Sequence, residues 1–250
     1  MITRDDSNDI AVIRLNHGKV SAIDVALCDA IGKELDAVTA SSAKALVITG
    51  TGSSFSAGLD LFQILEGGSA YLQRLVPALD RMLRGVLTCP KPVVAAVNGH
   101  AIAAGCILAA ACDHRVMAEG PSRIGVPEMA LGLPFPPLAL EIVLARVAPP
   151  AARTLVYSAR TVHAEEAVEL GLVDETAEAQ LVLDRARQVA EQLSLIPARA
   201  FALTKKAFYT PVLGRADALR SDERALMDVW SAPATTAAIR AYLEKTVAKK

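Results

Sequence analysis

Two small-residue loops and one glutamate are the parts of this chain whose types and spacing could do chemistry. The first loop, Thr49-Gly50-Thr51-Gly52-Ser53-Ser54-Phe55-Ser56-Ala57-Gly58-Leu59-Asp60-Leu61, would let backbone approach a ligand closely. It is neither a dinucleotide fingerprint, because Phe55 stands where a third glycine is needed, nor a nucleophile elbow on Ser56, because Ser54 stands where a glycine is needed. The second, Val97-Asn98-Gly99-His100-Ala101-Ile102-Ala103-Ala104-Gly105-Cys106, runs from a strand through a glycine turn into an alanine-rich helix. A helix start offers unpaired N–H groups to developing negative charge. The first loop also reads as a plain small-residue turn between strand and helix, and the second as a tightly packed buried helix. The glutamate is Glu128 in Val126-Pro127-Glu128. Burial among Ile124, Val126, Met129 and Leu133 would raise its pKa toward neutrality and make it a proton shuttle, whereas on an exposed loop it would be a cap or a salt-bridge partner. Asp60 and Glu66 are alternative carboxylates, His100 reads as a packed residue, and Asp113 reads as a helix stop. His17, His114 and His163 show no metal-ligand spacing, so no metal is expected.

The elements that must position these residues follow from periodicity. Ile10 to Leu15, Ala45 to Thr49 and Pro92 to Val97 are short Val/Ile-rich runs that suit buried strands. Between the first two, Cys28, Ile31, Leu35 and Val38 recur at helical spacing, with Ser21 or Asp24 as the cap. Strand, helix, strand implies an α/β core. Beyond Ala118, helices are expected at Ala139 to Ala148, Ala164 to Leu170, Leu181 to Leu195 and Arg199 to Tyr209. Gly171 reads as a left-handed C-cap, and Pro197 and Pro211 as breaks. No fixed-period repeat is visible. Leu226, Val229 and Trp230 suit either a subunit interface or an internal core.

The chain has 250 residues, 52% of them hydrophobic, and a formal net charge of −1, which suits a well-buried core and argues against a nucleic-acid or anionic-membrane partner. Its four cysteines, Cys28, Cys89, Cys106 and Cys112, form no CxxC pair, so a reducing cytoplasm is expected. The N-terminus carries Asp5, Asp6 and Asp9 and does not read as a secretory signal. The apolar stretch from Val93 to Cys112 is interrupted at Asn98, Gly99 and His100, which argues against a membrane span.

The two loops, in this order and followed by Ala111-Cys112-Asp113 and Val126-Pro127-Glu128, resemble the enoyl-CoA hydratase/isomerase (crotonase) superfamily. Ser158-Ala159-Arg160-Thr161, Ala164-Glu165-Glu166-Ala167 and Gly171-Leu172-Val173-Asp174 extend the resemblance over nearly the whole chain. The resemblance implies an α/β crotonase-like spiral of ββα units over residues 1–195, with a C-terminal helical region over 196–250 for trimerisation and cover of the CoA site. It implies a homotrimer or hexamer, an acyl-CoA thioester as substrate and no separate cofactor. It makes the N–H groups of Leu59 and Ala104 an oxyanion hole, Glu128 the catalytic residue, and Lys19, Ser21, Ala22, Ile23, Ser56 and Ala57 the CoA path. Two departures matter. Ile107 stands where hydratases have a second glutamate, which favours double-bond isomerisation over hydration and leaves a hydratase with an unconventional acid, or a non-catalytic binder, as alternatives. Ala104 replaces a glycine, and Leu133-Pro134-Phe135-Pro136-Pro137 replaces a glycine-rich stretch, so Ile107, Leu133 and Phe135 are expected in the acyl pocket.

Overall fold

Near-continuous apolar runs give strands that are buried on both faces, and such strands must be parallel and covered by helices on each side. In a computed structural model, which describes residues 1–220 and 223–247, the chain opens with a hairpin of β1 (Ile2–Ser7) and β2 (Ile10–Leu15), then α1 (Val25–Ala40) and β3 (Ala45–Thr49). Of the region expected over 196–250, residues 221, 222 and 248–250 lie outside the described ones. Next come β4 (Ser54–Ser56), α2 (Leu61–Thr88), β5 (Val93–Val97), β6 (His100–Ile102), α3 (Ala104–Ala111), β7 (His114–Ala118) and β8 (Ile124–Gly125). A 3-10 turn (Glu128–Leu131) leads to α4 (Pro137–Leu144), α5 (Pro149–Tyr157), β9 (Thr161–Val162), α6 (Ala164–Glu169), β10 (Glu175–Ala177), α7 (Val182–Ser194), α8 (Ala198–Ala218), α9 (Glu223–Trp230) and α10 (Pro233–Val247).

The strands form two sheets. The larger has the order β1-β2-β3-β5-β7-β10 and is parallel from β2 onward; the smaller has the order β4-β6-β8-β9. Each turn of chain therefore lays one strand in the large sheet, one in the small sheet and then a helix, which is the expected ββα spiral. The repeat is invisible as a sequence period because α2 has 28 residues and α3 only 8.

Along β3 the side chains alternate between two cores. Leu46 and Ile48 join the cluster with α1, α2 and α3, while Ala45 and Val47 pack against Val182, Ala186 and Val189 of α7. Each fully buried Leu or Ile contributes ~1.5–3 kcal/mol. A third cluster joins Leu72 and Leu75 of α2 to Leu226 and Trp230 of α9 and Ile239 of α10. Leu226 and Trp230 are thus internal, and Val229 is exposed.

Several local expectations change. Asp24, not Ser21, caps α1, its carboxylate accepting from the Leu27 N–H at 2.7 Å. The Ser21 hydroxyl instead donates to Leu15 O. The Ala139 to Ala148 helix starts at Pro137 and ends at Leu144, with α5 following separately. Pro211 does not break α8, because Tyr209, Val212 and Ala216 on either side of it are anchored in the core and carry the helix through. Asp113 does not terminate α3, whose C-cap is Cys112. It accepts from the Val93 N–H at 2.8 Å and pairs with Lys205 at 2.6 Å. Gly171 has φ +75°, as a left-handed cap requires. The Val93–Cys112 stretch folds as β5, β6 and α3, and no described helix is long and apolar enough to cross a membrane.

Candidate active site

Three consecutive parallel strands of the small sheet deliver the three candidate groups to one edge. Leu59 follows the end of β4, Ala104 the end of β6 and Glu128 the end of β8, so neighbouring strands set them side by side. At the first, Ile23 N–H donates to Gly58 O (2.7 Å) and Asp60 N–H to Ile23 O (2.9 Å). In a parallel bridge this turns the N–H of Leu59, the residue between them, to the opposite side. Gly58 has φ +89°, and a Cβ there would lie 2.8 Å from Ile102 O and 3.5 Å from Ala104 N, so only glycine lets the two loops meet.

At the second loop the non-glycine Ala103 holds φ +52° and ψ −123°. Such a conformation costs ~1–3 kcal/mol and persists where the surroundings impose it. Here Ala103 N–H is fixed to Gly125 O at 2.8 Å, and the strained residue is followed at once by the first residue of α3. The N–H groups of Leu59 and Ala104 have no acceptor among the described residues. Gly105 completes the contact, since a Cβ there would lie 2.5 Å from Ser56 O.

Both loops and Glu128 open onto one cavity of about 110 Å³. Glu128 begins the 3-10 turn, and its Oε2 is buried without a hydrogen-bond partner. Burial pushes its carboxyl up to about 7, against a smaller opposing effect of its own backbone N–H. The thiol of Cys106, wholly buried beneath, is raised by desolvation and then by the Glu128 charge. Ala57, Leu59, Ala104, Ile107 and Leu133 line the same cavity. Phe135 does not: it packs against the main core, while its neighbours Leu133 and Pro136 face the cavity. Neither alternative carboxylate reaches it. Asp60 caps α2, accepting from the N–H groups of Phe62 and Gln63, and Glu66 is exposed. Among the described residues, Glu128 is the one carboxylate in the lining. His100 is packed as expected, its Nδ1 accepting from the Arg123 N–H.

The residues expected along the CoA path divide. Lys19 is exposed and Ala22 partly so. The Ser56 hydroxyl donates to Ser21 O at 2.8 Å, and the Ser21, Ile23 and Ser56 side chains are buried, so they shape the loop from inside rather than present a side chain to a ligand. Four contributors were not apparent from sequence. Asn98 clamps the first loop, accepting from Gly50 N–H (2.7 Å) and donating to Gly52 O (2.9 Å). Gln63 bridges Asp24 and Asp60, the caps of α1 and α2 on either side of Leu59. Trp230 and Tyr242 of α9 and α10 close the cavity. An Asn before a glycine turn is a recognisable signal; the other three contacts depend on tertiary packing.

Residues 5–249 match the sequence profile described as enoyl-CoA hydratase/isomerase. The chain is 30% identical to the short-chain-enoyl-CoA hydratase of Clostridium acetobutylicum over 244 residues, covering 94% of this chain and 92% of that one. A Mycobacterium tuberculosis structure described as an enoyl-CoA isomerase superposes with TM-score 0.77 at 34% identity, covering 93% and 98% of the two chains. Human mitochondrial delta3-delta2-enoyl-CoA isomerase superposes with TM-score 0.94 over 100% and 99% at 23% identity, a likeness of fold.

Proposed function

This chain belongs to the enoyl-CoA hydratase/isomerase family and is an acyl-CoA enzyme, and within that family we propose that it moves a double bond, converting a 3-enoyl-CoA to the 2-enoyl-CoA. The observation that carries the reading is the cavity lining: one buried, unpartnered carboxylate among apolar side chains, with Ile107 where a water-holding partner would be needed. Glu128 takes the proton from C2. The C2–H electron pair enters a C1=C2 bond and the carbonyl pair moves onto the thioester oxygen, giving a dienolate; when the C3=C4 pair takes the proton at C4, the C1=C2 pair becomes C2=C3 and the carbonyl is restored. The N–H groups of Leu59 and Ala104 donate to that oxygen; one such donor is worth ~3–4 kcal/mol in a dry site. Glu128 then returns the same proton to C4, so no water is consumed. A carboxyl near neutrality is matched to both halves of this transfer. The CoA thioester is itself the substrate, and in this reading no separate cofactor takes part.

Hydration is the second reading, favoured by the hydratase names that prevail among the sequence relatives. Adding water requires a group to hold and deprotonate it, and a second acidic side chain for that task is missing from the lining among the described residues. Purified wild type and Glu128→Gln, assayed with 3-enoyl-CoA for double-bond migration and with 2-enoyl-CoA for water addition, separate the readings. The isomerase reading expects migration in wild type that falls ~10²–10⁴-fold in the variant. Hydration faster than migration would overturn it. A homotrimer or hexamer belongs to the same proposal. It is supported by apolar side chains left exposed on this chain, Leu203 and Phe208 of α8 among them, and sedimentation of the wild type tests it.

A further inference from the structure

We propose that Gln63 is a positioning residue for the reaction, its side-chain amide gripping Asp24 and Asp60 so that the Leu59 N–H keeps its direction into the cavity. The inference rests on the reading of Leu59 and Ala104 as donors to the thioester oxygen and names the group that holds one of them in aim. Leu59 is joined to Ile23 by a parallel bridge that stands outside both sheets. Two hydrogen bonds define it, Ile23 N–H to Gly58 O and Asp60 N–H to Ile23 O. On the side preceding the bridge, Ala57 N–H donates to Val20 O and the Ser56 hydroxyl to Ser21 O. On the side following it the backbones part into α1 and α2, and the link is made by side chains. Asp24 follows Ile23, Asp60 follows Leu59, and Gln63 Nε2 donates to both carboxylates, at 2.9 and 3.1 Å.

The residue type matters as much as the reach. Asp24 is buried; one of its oxygens accepts from Leu27 N–H, and the other takes Gln63 together with His17 Nε2 at 2.8 Å. One oxygen of Asp60 accepts from the backbone N–H groups of Phe62 and Gln63, and the other from the Gln63 amide. Burial alone would raise the Asp24 carboxyl; the Leu27 N–H, then His17 and Gln63, bring it below its usual value. Between two carboxylates a primary amide offers two N–H groups from one nitrogen without adding a charge. An ionised glutamate at the same place would offer acceptors alone and drive the aspartates apart. Because each aspartate is the next residue after a bridge partner, spreading them turns the peptide that carries the Leu59 N–H. A donor of this kind must hold its aim to within ~0.5 Å and ~10–20°.

The experiment compares the full-length wild type with Gln63→Glu, Gln63→Ala and Gln63→Lys in two ways. Turnover is followed with 3-enoyl-CoA and 2-enoyl-CoA. Independently of turnover, the infrared stretch of the thioester carbonyl is recorded in bound butyryl-CoA labelled with carbon-13 at that atom. The expected result is that kcat falls ~10–100-fold in Gln63→Glu and Gln63→Ala while KM stays within about threefold of wild type. Gln63→Lys, which again places N–H donors between the two carboxylates, recovers most of the loss. The carbonyl stretch, lowered on binding to wild type, moves back toward its free value in the Glu and Ala variants and stays low in Gln63→Lys. A kcat unchanged in Gln63→Glu, a carbonyl stretch indifferent to residue 63, or a loss in Gln63→Lys as deep as in Gln63→Glu overturns the proposal. Should Gln63→Ala fail to fold, the Glu and Lys variants decide it, since they differ in donors and not in the presence of a long side chain. The spectrum also keeps the readings apart. A stretch that relaxes in Gln63→Glu without double-bond migration in wild type removes the isomerase and leaves the role of Gln63, and migration with a stretch indifferent to residue 63 does the reverse.

Discussion

Helix α3 meets buried polarity in opposite ways at its two ends. At its N-terminus Glu128 Oε2 is buried without a partner, the N–H groups of Ala104 and Leu59 await an acceptor, and Ala103 is held at positive φ. At its C-terminus the carbonyls of Ala110 and Cys112 accept from Arg146, at 2.8 and 2.5 Å, and Cys112 O also from Arg115 at 2.6 Å. There Arg115 pairs with Asp174 (2.5 Å), Arg146 reaches the Tyr209 hydroxyl, and Lys205 pairs with Asp113. Arg115 Nε is the exception. Cations at the carbonyl end complement the helix dipole, and closed hydrogen-bond networks specify a fold. The contrast teaches that the two ends of one helix do different work: the C-terminal end is closed by cations on its carbonyls, and the N-terminal end is left open where a substrate oxygen and proton would complete it.

The comparison breaks most severely at the satisfied end. Asp113→Ala leaves Lys205 buried and uncompensated and removes the acceptor for Val93 N–H; a loss of ~3–5 kcal/mol is expected in urea unfolding. A loss below 1 kcal/mol would show that this end is not the structural anchor. At the open end, Gly58→Ala drives a methyl against Ile102 O and Ala103 Cβ. Spreading the two donors is expected to lower kcat ~10²–10³-fold, with a smaller change in the urea midpoint than in Asp113→Ala.

Glu128 sharpens the contrast through pH. Its folded pKa of about 7 lies above the usual carboxylate value, so the folded state holds a proton that the unfolded state releases between about pH 4.5 and 7. The stability from this group is complete below that window and lost as pH rises through it. Glu128→Gln is therefore expected to match wild type at pH 4.5 and to exceed it by up to ~3 kcal/mol at pH 8, checked by urea titrations at both. Wild-type kcat/KM, which needs the carboxylate, should rise with pH to a plateau above about 7. A plateau already reached at pH 5 would mean an ordinary solvated carboxylate. The smallest effect is expected from Ala103→Gly. Relief of the positive φ should offset the added chain freedom and shift stability by no more than ~1 kcal/mol in either direction while activity is retained.

Much of this site was legible in the sequence because it sits at strand ends. The small-residue loops follow the Val/Ile runs that form β3 and β5, and they carry the short strands β4 and β6, which, like β8 before Val126-Pro127-Glu128, are too short to show as apolar runs of their own. The wall was not legible. Trp230 reaches the cavity only because α9 packs on α2, and nothing local to Trp230 encodes that contact. Phe135 was misassigned because a run of prolines has no simple facing rule: Leu133 and Pro136 face the cavity while Phe135 faces the core. Strand β1 escaped because an antiparallel edge strand with Thr3, Arg4, Asp5 and Asp6 carries no apolar run. Strain at Ala103 leaves no trace in residue type, since an alanine there reads as an ordinary helix former.

The order of these parts along the chain also has a bearing on synthesis. Both donor loops and Glu128 precede the helices that bring Trp230 and Tyr242 to the cavity. Chains emerge from the ribosome N-terminus first, and early segments begin to fold as they emerge. The residues of the cavity edge are therefore synthesised before the two helices that complete its lining. A cavity walled by Trp230 and Tyr242 thus requires the C-terminal helices as well as the strands that carry Leu59, Ala104 and Glu128.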